Sequence, residues 1–167
     1  MVKELRCSSH SDQVKSRKVR SMEQSRIDIL LVEDNDDDIL LTEEVFSEGK
    51  LINVIHAVRD GEEALQYLRR QGQYANISLP GLVMLDLNMP KMNGLEVLVE
   101  IKKDHDIRHI PVVVLTTSER ENDIVKSYEF GACSYIKKPV QLSDFKDALH
   151  QFELYWALVA RIPGTGK

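Results

Sequence analysis

The sequence predicts an α/β domain built on a doubly wound, five-stranded parallel sheet with strand order 2-1-3-4-5. Three observations predict it. Five short apolar runs of strand type alternate with five segments of helical periodicity. Two of the runs, IDILLV at 27–32 and LVMLD at 82–86, are almost unbroken in apolar character, which suits strands covered on both faces. The runs also end on residues that carry chemistry: Glu33-Asp34 after the first, Asp86 closing the third, Thr116 closing the fourth, Lys138 just after the fifth. Right-handed crossovers line those ends along one edge of the sheet, where ligands of such sheets sit.

Each element follows from its local pattern. After the first strand (27–32) and Glu33-Asp34, Asn35 with Asp36, Asp37 and Asp38 precedes a helix at 39–48, closed by Gly49. Acids at that end complement the helix dipole. LINVIHAV at 51–58 is the second strand, and Asp60-Gly61 turns into an amphipathic helix at 62–71 through Ala64, Leu65 and Leu68, closed by Gly72. A polar link at 73–81 leads to the third strand, 82–86. The third helix, 94–103, directs Leu95, Leu98 and Val99 inward, and a polar connection at 104–109 reaches the fourth strand, 111–116. The fourth helix, 118–129, has only Ile124, Val125 and Tyr128 to bury, so it is expected to be loosely held. A short fifth strand at 132–137 contains Cys133, expected as a small buried residue. The last helix, 142–160, carries Leu142, Phe145, Leu149, Phe152, Trp156 and Val159 at 3-4 spacing.

Composition narrows the function. Hydrophobic residues make up 43% and charged residues 29%, as in a globular domain. Residues 1–26 hold seven Lys/Arg against three acids, net +4, which leaves −9 of the total −5 on the remainder. An acidic folded part is a poor nucleic-acid binder, so no DNA partner is expected. No apolar run approaches the ~18 residues of a membrane span. Cys7 and Cys133 make no disulfide framework, and a cytoplasmic location is expected. Residues 1–25 are polar and Ser-rich and read as a disordered leader, 26–160 as one domain with an extended C-terminal helix, and 161–167 as a flexible tail. Met22, just before the first strand, is a candidate start of translation. No output domain is expected after the last helix, so signals would pass through protein contacts.

Strand order 2-1-3-4-5 makes strands one and three neighbours and gathers Glu33, Asp34 and Asp86. Two like unit charges ~4 Å apart repel by roughly 4 kcal/mol at an effective dielectric near 20, so three acids need a cation. An all-oxygen set suits Mg²⁺ (or Mn²⁺) rather than zinc. A carboxylate beside such a metal and a lysine can attack phosphorus to form an acyl phosphate.

Glu33-Asp34, Asp86 followed by Asn88-Met89-Pro90 and Gly94, Thr116, and Lys138-Pro139 resemble the receiver domain of two-component response regulators. The resemblance runs from Ile27 to about Phe152, and intervals of 30 residues from Asp86 to Thr116 and 52 to Lys138 fit it. It implies a flavodoxin-like receiver fold and a phosphoacceptor Asp86, labelled by a sensor histidine kinase. It implies that Asp34, Asp86 and the Asn88 backbone carbonyl bind Mg²⁺, with Glu33 acting through metal-bound water. Thr116 and Lys138 would read the phosphoryl group, Tyr135 would act with Thr116 as the switch, and the Lys138–Pro139 bond would be cis. ILLVEDN, LNMPKMNGLEVLVEIK, RHIPVVVLTTS and KSYEFGACSYIKKPV are similar to small regulators encoded beside bacterial phytochromes. Lys137 departs from that pattern, where a small or neutral residue is usual. Such proteins are not enzymes beyond self-phosphotransfer and self-dephosphorylation.

Two other classes are weighed against this. An aspartate-nucleophile phosphohydrolase carries D-x-D on its first strand, whereas here the acid pair comes first and Asn88 follows Asp86-Leu87. A phosphorylation-independent interaction module needs none of the five site residues. Leu154 and Leu158 form a second apolar stripe on the last helix, from which we expect a homodimer through helix four, strand five and helix five. The downstream protein target is not encoded in any motif.

Overall fold

The computed structural model describes residues 27–48, 54–117, 121–138 and 142–158, without the side chains of Glu48, 121–123, Leu142, Phe145 and 153–158. In chain order it contains β1 (Asp28–Val32), α1 (Asp36–Glu48), β2 (Val54–Val58), α2 (Gly61–Leu68), a 3-10 turn (Gly72–Tyr74), β3 (Leu82–Asp86), α3 (Gly94–Lys103), β4 (Val112–Thr116), α4 (Glu121–Glu129), β5 (Ser134–Lys137) and α5 (Leu142–Leu158). The strands form one parallel sheet in the order β2-β1-β3-β4-β5.

Side-chain alternation splits the apolar strands between two cores. Leu30, Val32, Val83, Leu85, Val112 and Val114 face α2 and α3, meeting Leu68, Leu98 and Ile101. Ile29, Leu31, Leu82, Met84, Val113 and Leu115 face the other way, onto Val45 and Phe46 of α1 and Leu149 and Phe152 of α5. All five residues of β3 and of β4 are buried. Each buried Leu or Val stabilises by roughly 1.5–3 kcal/mol, which lets the central strand tolerate an acid at its tip.

Several boundaries differ from expectation for local reasons. Helix α1 starts at Asp36, three residues early, because the Asn35 side chain caps it and accepts from the backbone N–H of Asp37 (2.9 Å) and Asp38 (3.1 Å). The three acids are its first turn rather than its lead-in. Helix α2 ends at Leu68, before Gly72, because Arg70 takes the left-handed conformation (φ 54°). The N–H of Gln71 then reaches the Gln66 carbonyl (2.9 Å) and that of Arg70 the Tyr67 carbonyl (3.1 Å), a Schellman closure. On α3 the buried stripe is Val97, Leu98 and Ile101, with Leu95 and Val99 only partly covered. On α4, Val125 and Tyr128 are 52% and 51% exposed, so this helix buries less than even its thin stripe suggests. Cys133 is exposed, just ahead of β5, with its thiol donating to the Val112 carbonyl (3.2 Å). Among the described residues no helix is long and apolar enough to cross a membrane.

Candidate functional site

The register of the sheet assembles the site. Val32 pairs with Leu85 across β1 and β3, so Glu33 and Asp86, each one residue further, project from adjacent strand ends. Across β4 and β5, Thr116 pairs with Lys137, and the Lys138 N–H still reaches the Thr116 carbonyl (2.8 Å). The pleat therefore continues past β5, with Ile136 inward, Lys137 exposed and Lys138 inward. Asp86 is 5% exposed, Lys138 7% and Glu33 1%.

Lys138 Nζ is the hub. It donates to Asp86 Oδ2 (3.2 Å), to Asp38 Oδ2 (2.8 Å) and, in a short contact, to Glu33 Oε2. Burial pushes the Lys138 ammonium down, but the combined pull of Asp86, Glu33 and Asp38 outweighs it and leaves the group above its ordinary value. It stays charged. Burial also pushes the Glu33 carboxyl up, to about 7, against the opposing field and hydrogen bond of Lys138. One ammonium thus falls short of neutralising the pocket.

Carboxylate oxygens of Glu33, Asp34 and Asp86 lie within 4.8 Å of one another. At that spacing two full charges repel by roughly 3–4 kcal/mol at an effective dielectric near 20. The set holds only hard oxygen donors, with Glu33 and Asp86 buried and Asp34 open to solvent. These residues fit a hard divalent cation such as Mg²⁺ or Mn²⁺, with Asp34 on the side from which an ion would enter.

The loop after β3 is drawn back against the site. The Asn88 N–H donates to Asp86 Oδ1 (3.0 Å), and its side-chain amide donates to the hydroxyls of Thr116 and Thr117 (both 3.2 Å). Lys91 takes a positive φ of 66° in the turn, the Gly94 N–H returns to the Leu87 carbonyl (3.1 Å), and Asn93 starts α3 in a capping box with Glu96. Thr116 is buried and Thr117 exposed.

The structure therefore brings Glu33, Asp34, Asp86, Asn88, Thr116 and Lys138 together at one sheet edge. Tyr135 lies one strand away, opposite Val114, partly buried against the α2–α3 core. Pro139, and so the isomer of the Lys138–Pro139 bond, lies outside the described residues, as do the Leu154 and Leu158 side chains. Asp36–Asp38 read first as a complement to the α1 dipole and second as extra ligands; the Asp38 carboxylate is a Lys138 partner. No local signal separates it from Asp36 and Asp37, because the contact is made by a lysine 100 residues later in the chain.

The response regulator receiver domain family matches residues 29–150. The response regulator Rcp1 of Synechocystis sp. is 42% identical over 137 residues, covering 82% of this chain and 93% of that one. The probable methanogenesis regulatory protein FilR2 of Methanothrix harundinacea is 41% identical over 136 residues, covering 81% and 87%. Among solved structures, the phosphorylated cyanobacterial phytochrome response regulator RcpA is 44% identical with a TM-score of 0.80, covering 84% of this chain and 100% of that one. The Mn²⁺-bound form of Rcp1 is 40% identical with a TM-score of 0.79, covering 83% and 99%. With a family match across most of the chain and relatives above 40% identity over four-fifths of it, the chain belongs to the response regulator receiver domain family.

Proposed function

We propose that Asp86 is the phosphoacceptor of a cytoplasmic signalling protein, labelled by a sensor histidine kinase of phytochrome type. The observation that carries this is the placement of Asp86: a buried carboxylate with a lysine ammonium 3.2 Å away and oxygens of two further acids within 4.8 Å. An Asp86 carboxylate oxygen attacks phosphorus, the new O–P bond forms as the bond to the donor's leaving atom breaks, and that atom keeps the electron pair. Asp34, Asp86 and the Asn88 carbonyl, with Glu33 acting through metal-bound water, would hold Mg²⁺ (or Mn²⁺), which would supply charge neutralisation for the transferring oxygens. Lys138 holds a phosphoryl oxygen by charge-assisted hydrogen bonding, and the Thr116 hydroxyl, beside the Asn88 amide, donates to another. Support for the phytochrome link is likeness to RcpA, 44% identical; FilR2, 41% identical, is a probable methanogenesis regulatory protein.

Phosphorylation then shifts a population. Thr116 moves toward the phosphoryl group, Tyr135 turns toward the vacated space, and α4, with Val125 and Tyr128 already exposed, changes position. The exposed α4 residues also favour a homodimer through α4, β5 and α5, and the message passes on to a protein target rather than to DNA. Incubation with a small phosphodonor and Mg²⁺ followed by intact-mass measurement tests the central claim. One added phosphoryl group on the wild type and none on Asp86→Asn is expected; equal labelling of the two removes it.

A further inference from the structure

We propose that Asp38 is a positioning residue that aims Lys138 at Asp86, a role that presupposes phosphoacceptance at Asp86. An ammonium carries three N–H donors and accepts nothing. Lys138 directs its three donors to three elements of the fold: Glu33 after β1, Asp38 in the first turn of α1 and Asp86 at the tip of β3. Because the nitrogen is tetrahedral, fixing two of its N–H directions fixes the third. Glu33 and Asp38 together therefore determine that the third points at the carboxylate that receives the phosphoryl group. A lysine stem of four rotatable carbons does not supply that aim by itself.

Asp38 is built to hold still. Its backbone N–H is tied to the Asn35 cap (3.1 Å), and its carbonyl accepts from the hydroxyl of buried Thr42 (2.7 Å). Its side chain is 32% exposed against 6% for Lys138, so it closes the pocket on the solvent side. Asp38 also differs from the other two partners of Lys138. Glu33 and Asp86 belong to the three-carboxylate group that fits a divalent cation, and Asp38 does not. An ion there draws on Glu33 and Asp86, and leaves Asp38 as the anchor of Lys138 that the ion does not share. The α1 cap and the phosphoryl-reading lysine are thereby coupled through one side chain.

The test compares wild type, Asp38→Ala, Asp38→Glu, Lys138→Ala and the Asp38→Ala/Lys138→Ala double variant. Each is labelled with a small phosphodonor at saturating Mg²⁺, and melting curves are recorded beside the rates. Asp38→Ala is expected to label about tenfold or more slowly, as misalignment of a reacting group commonly costs. Asp38→Glu should recover most of the rate, and Asp38→Ala should add nothing on the Lys138→Ala background. Equal rates for Asp38→Ala and wild type, or an undiminished effect on the Lys138→Ala background, would overturn the proposal. The metal-free wild type gives an independent readout: a slowly exchanging Lys138 ammonium resonance coupled through the hydrogen bond to the Asp38 carboxylate carbon. Absence of that coupling also overturns it. A wild type that takes no label at all removes the phosphoacceptor role of Asp86 first, and the aiming role with it.

Discussion

Gly94 packs against the backbone of Asp86 with no room for a side chain. A Cβ built on Gly94 falls 2.9 Å from the Asp86 carbonyl carbon, 2.8 Å from Leu87 Cα and closer still to the Asp86 carbonyl oxygen. These neighbours are main chain at the tip of a buried strand, so they cannot turn aside as a flexible side chain could. Gly94→Ala should push the start of α3 away from β3, at a cost of about 1–3 kcal/mol, and should slow labelling of Asp86. Gly61→Ala is the control: its Cβ would meet the side chains of Val97 (Cγ2 2.5 Å) and Met92 (Cβ 3.1 Å) rather than the backbone of Asp86. It should lower stability in a urea melt while leaving the labelling rate close to wild type. Identical behaviour of the two variants would mean that the Gly94 contact does not hold Asp86.

Mutual repulsion among the three carboxylates is measurable. Asp34→Asn removes one charge from a set whose oxygens lie within 4.8 Å of each other. In metal-free buffer it should raise the melting temperature by a few degrees, equivalent to about 1 kcal/mol after solvent screening of exposed Asp34. Mg²⁺ should stabilise the wild type progressively with concentration and leave Asp34→Asn almost unchanged. Calorimetric titration with Mg²⁺ checks the same point. Wild-type affinity in Asp34→Asn would exclude Asp34 from the metal set.

What could be read from sequence depended on how local each cause is. Strand β3 and helix α3 match their expected limits because unbroken apolar character and the Asn93–Glu96 capping box are short-range signals. The end of α2 was illegible because Arg70 occupies a left-handed cap that normally advertises itself as glycine. Asp38 looked like one of three dipole-complementing acids. Only the docking of α1 beside the end of β5, 100 residues later in the chain, separates it from Asp36 and Asp37. The stripe on α4 was visible, but periodicity says which residues share a face, not whether anything covers it; Val125 and Tyr128 lie uncovered. Lys138 and Lys137 are distinguished physically by strand alternation, which buries the first and exposes the second.

Asp60 gives a pH-dependent prediction away from the acid group. Its carboxylate caps α2 by accepting from the Glu63 N–H (2.8 Å), and Lys91 lies 3.3 Å from its other oxygen. The backbone hydrogen bond from Glu63, assisted by Lys91, holds its carboxyl below the ordinary value. A depressed folded pKa contributes stability above the unfolded pKa of about 4, and that contribution fades as pH falls through the folded value. Asp60→Ala should cost about 1 kcal/mol at pH 7 and progressively less below pH 4. Asp60→Asn retains an oxygen for the Glu63 N–H, so it should cost less and show a flatter pH response. Denaturant melts at pH 3 and pH 7 decide; a cost that is the same at both would mean the carboxylate charge plays no part.

The proposed dimer rests on exposed apolar residues of α4. Val125 and Tyr128 stand 52% and 51% exposed on one side of α4, and Phe130 is 39% exposed just beyond the end of the helix. Isolated apolar residues on a surface need no explanation, whereas apolar residues exposed on one face of a helix favour a protein contact. Burying Tyr128 and Val125 against a second copy would contribute roughly 1.5–3 kcal/mol for each side chain, enough to matter at micromolar concentration but not to make an obligate dimer. The mass from light scattering should therefore rise with concentration and with phosphorylation. Val125→Glu with Tyr128→Glu should return it to the monomer value, as should Leu154→Glu with Leu158→Glu if α5 shares the interface. A wild type that remains monomeric at 100-fold dilution and at full concentration alike, phosphorylated or not, would leave α4 free for a different partner protein.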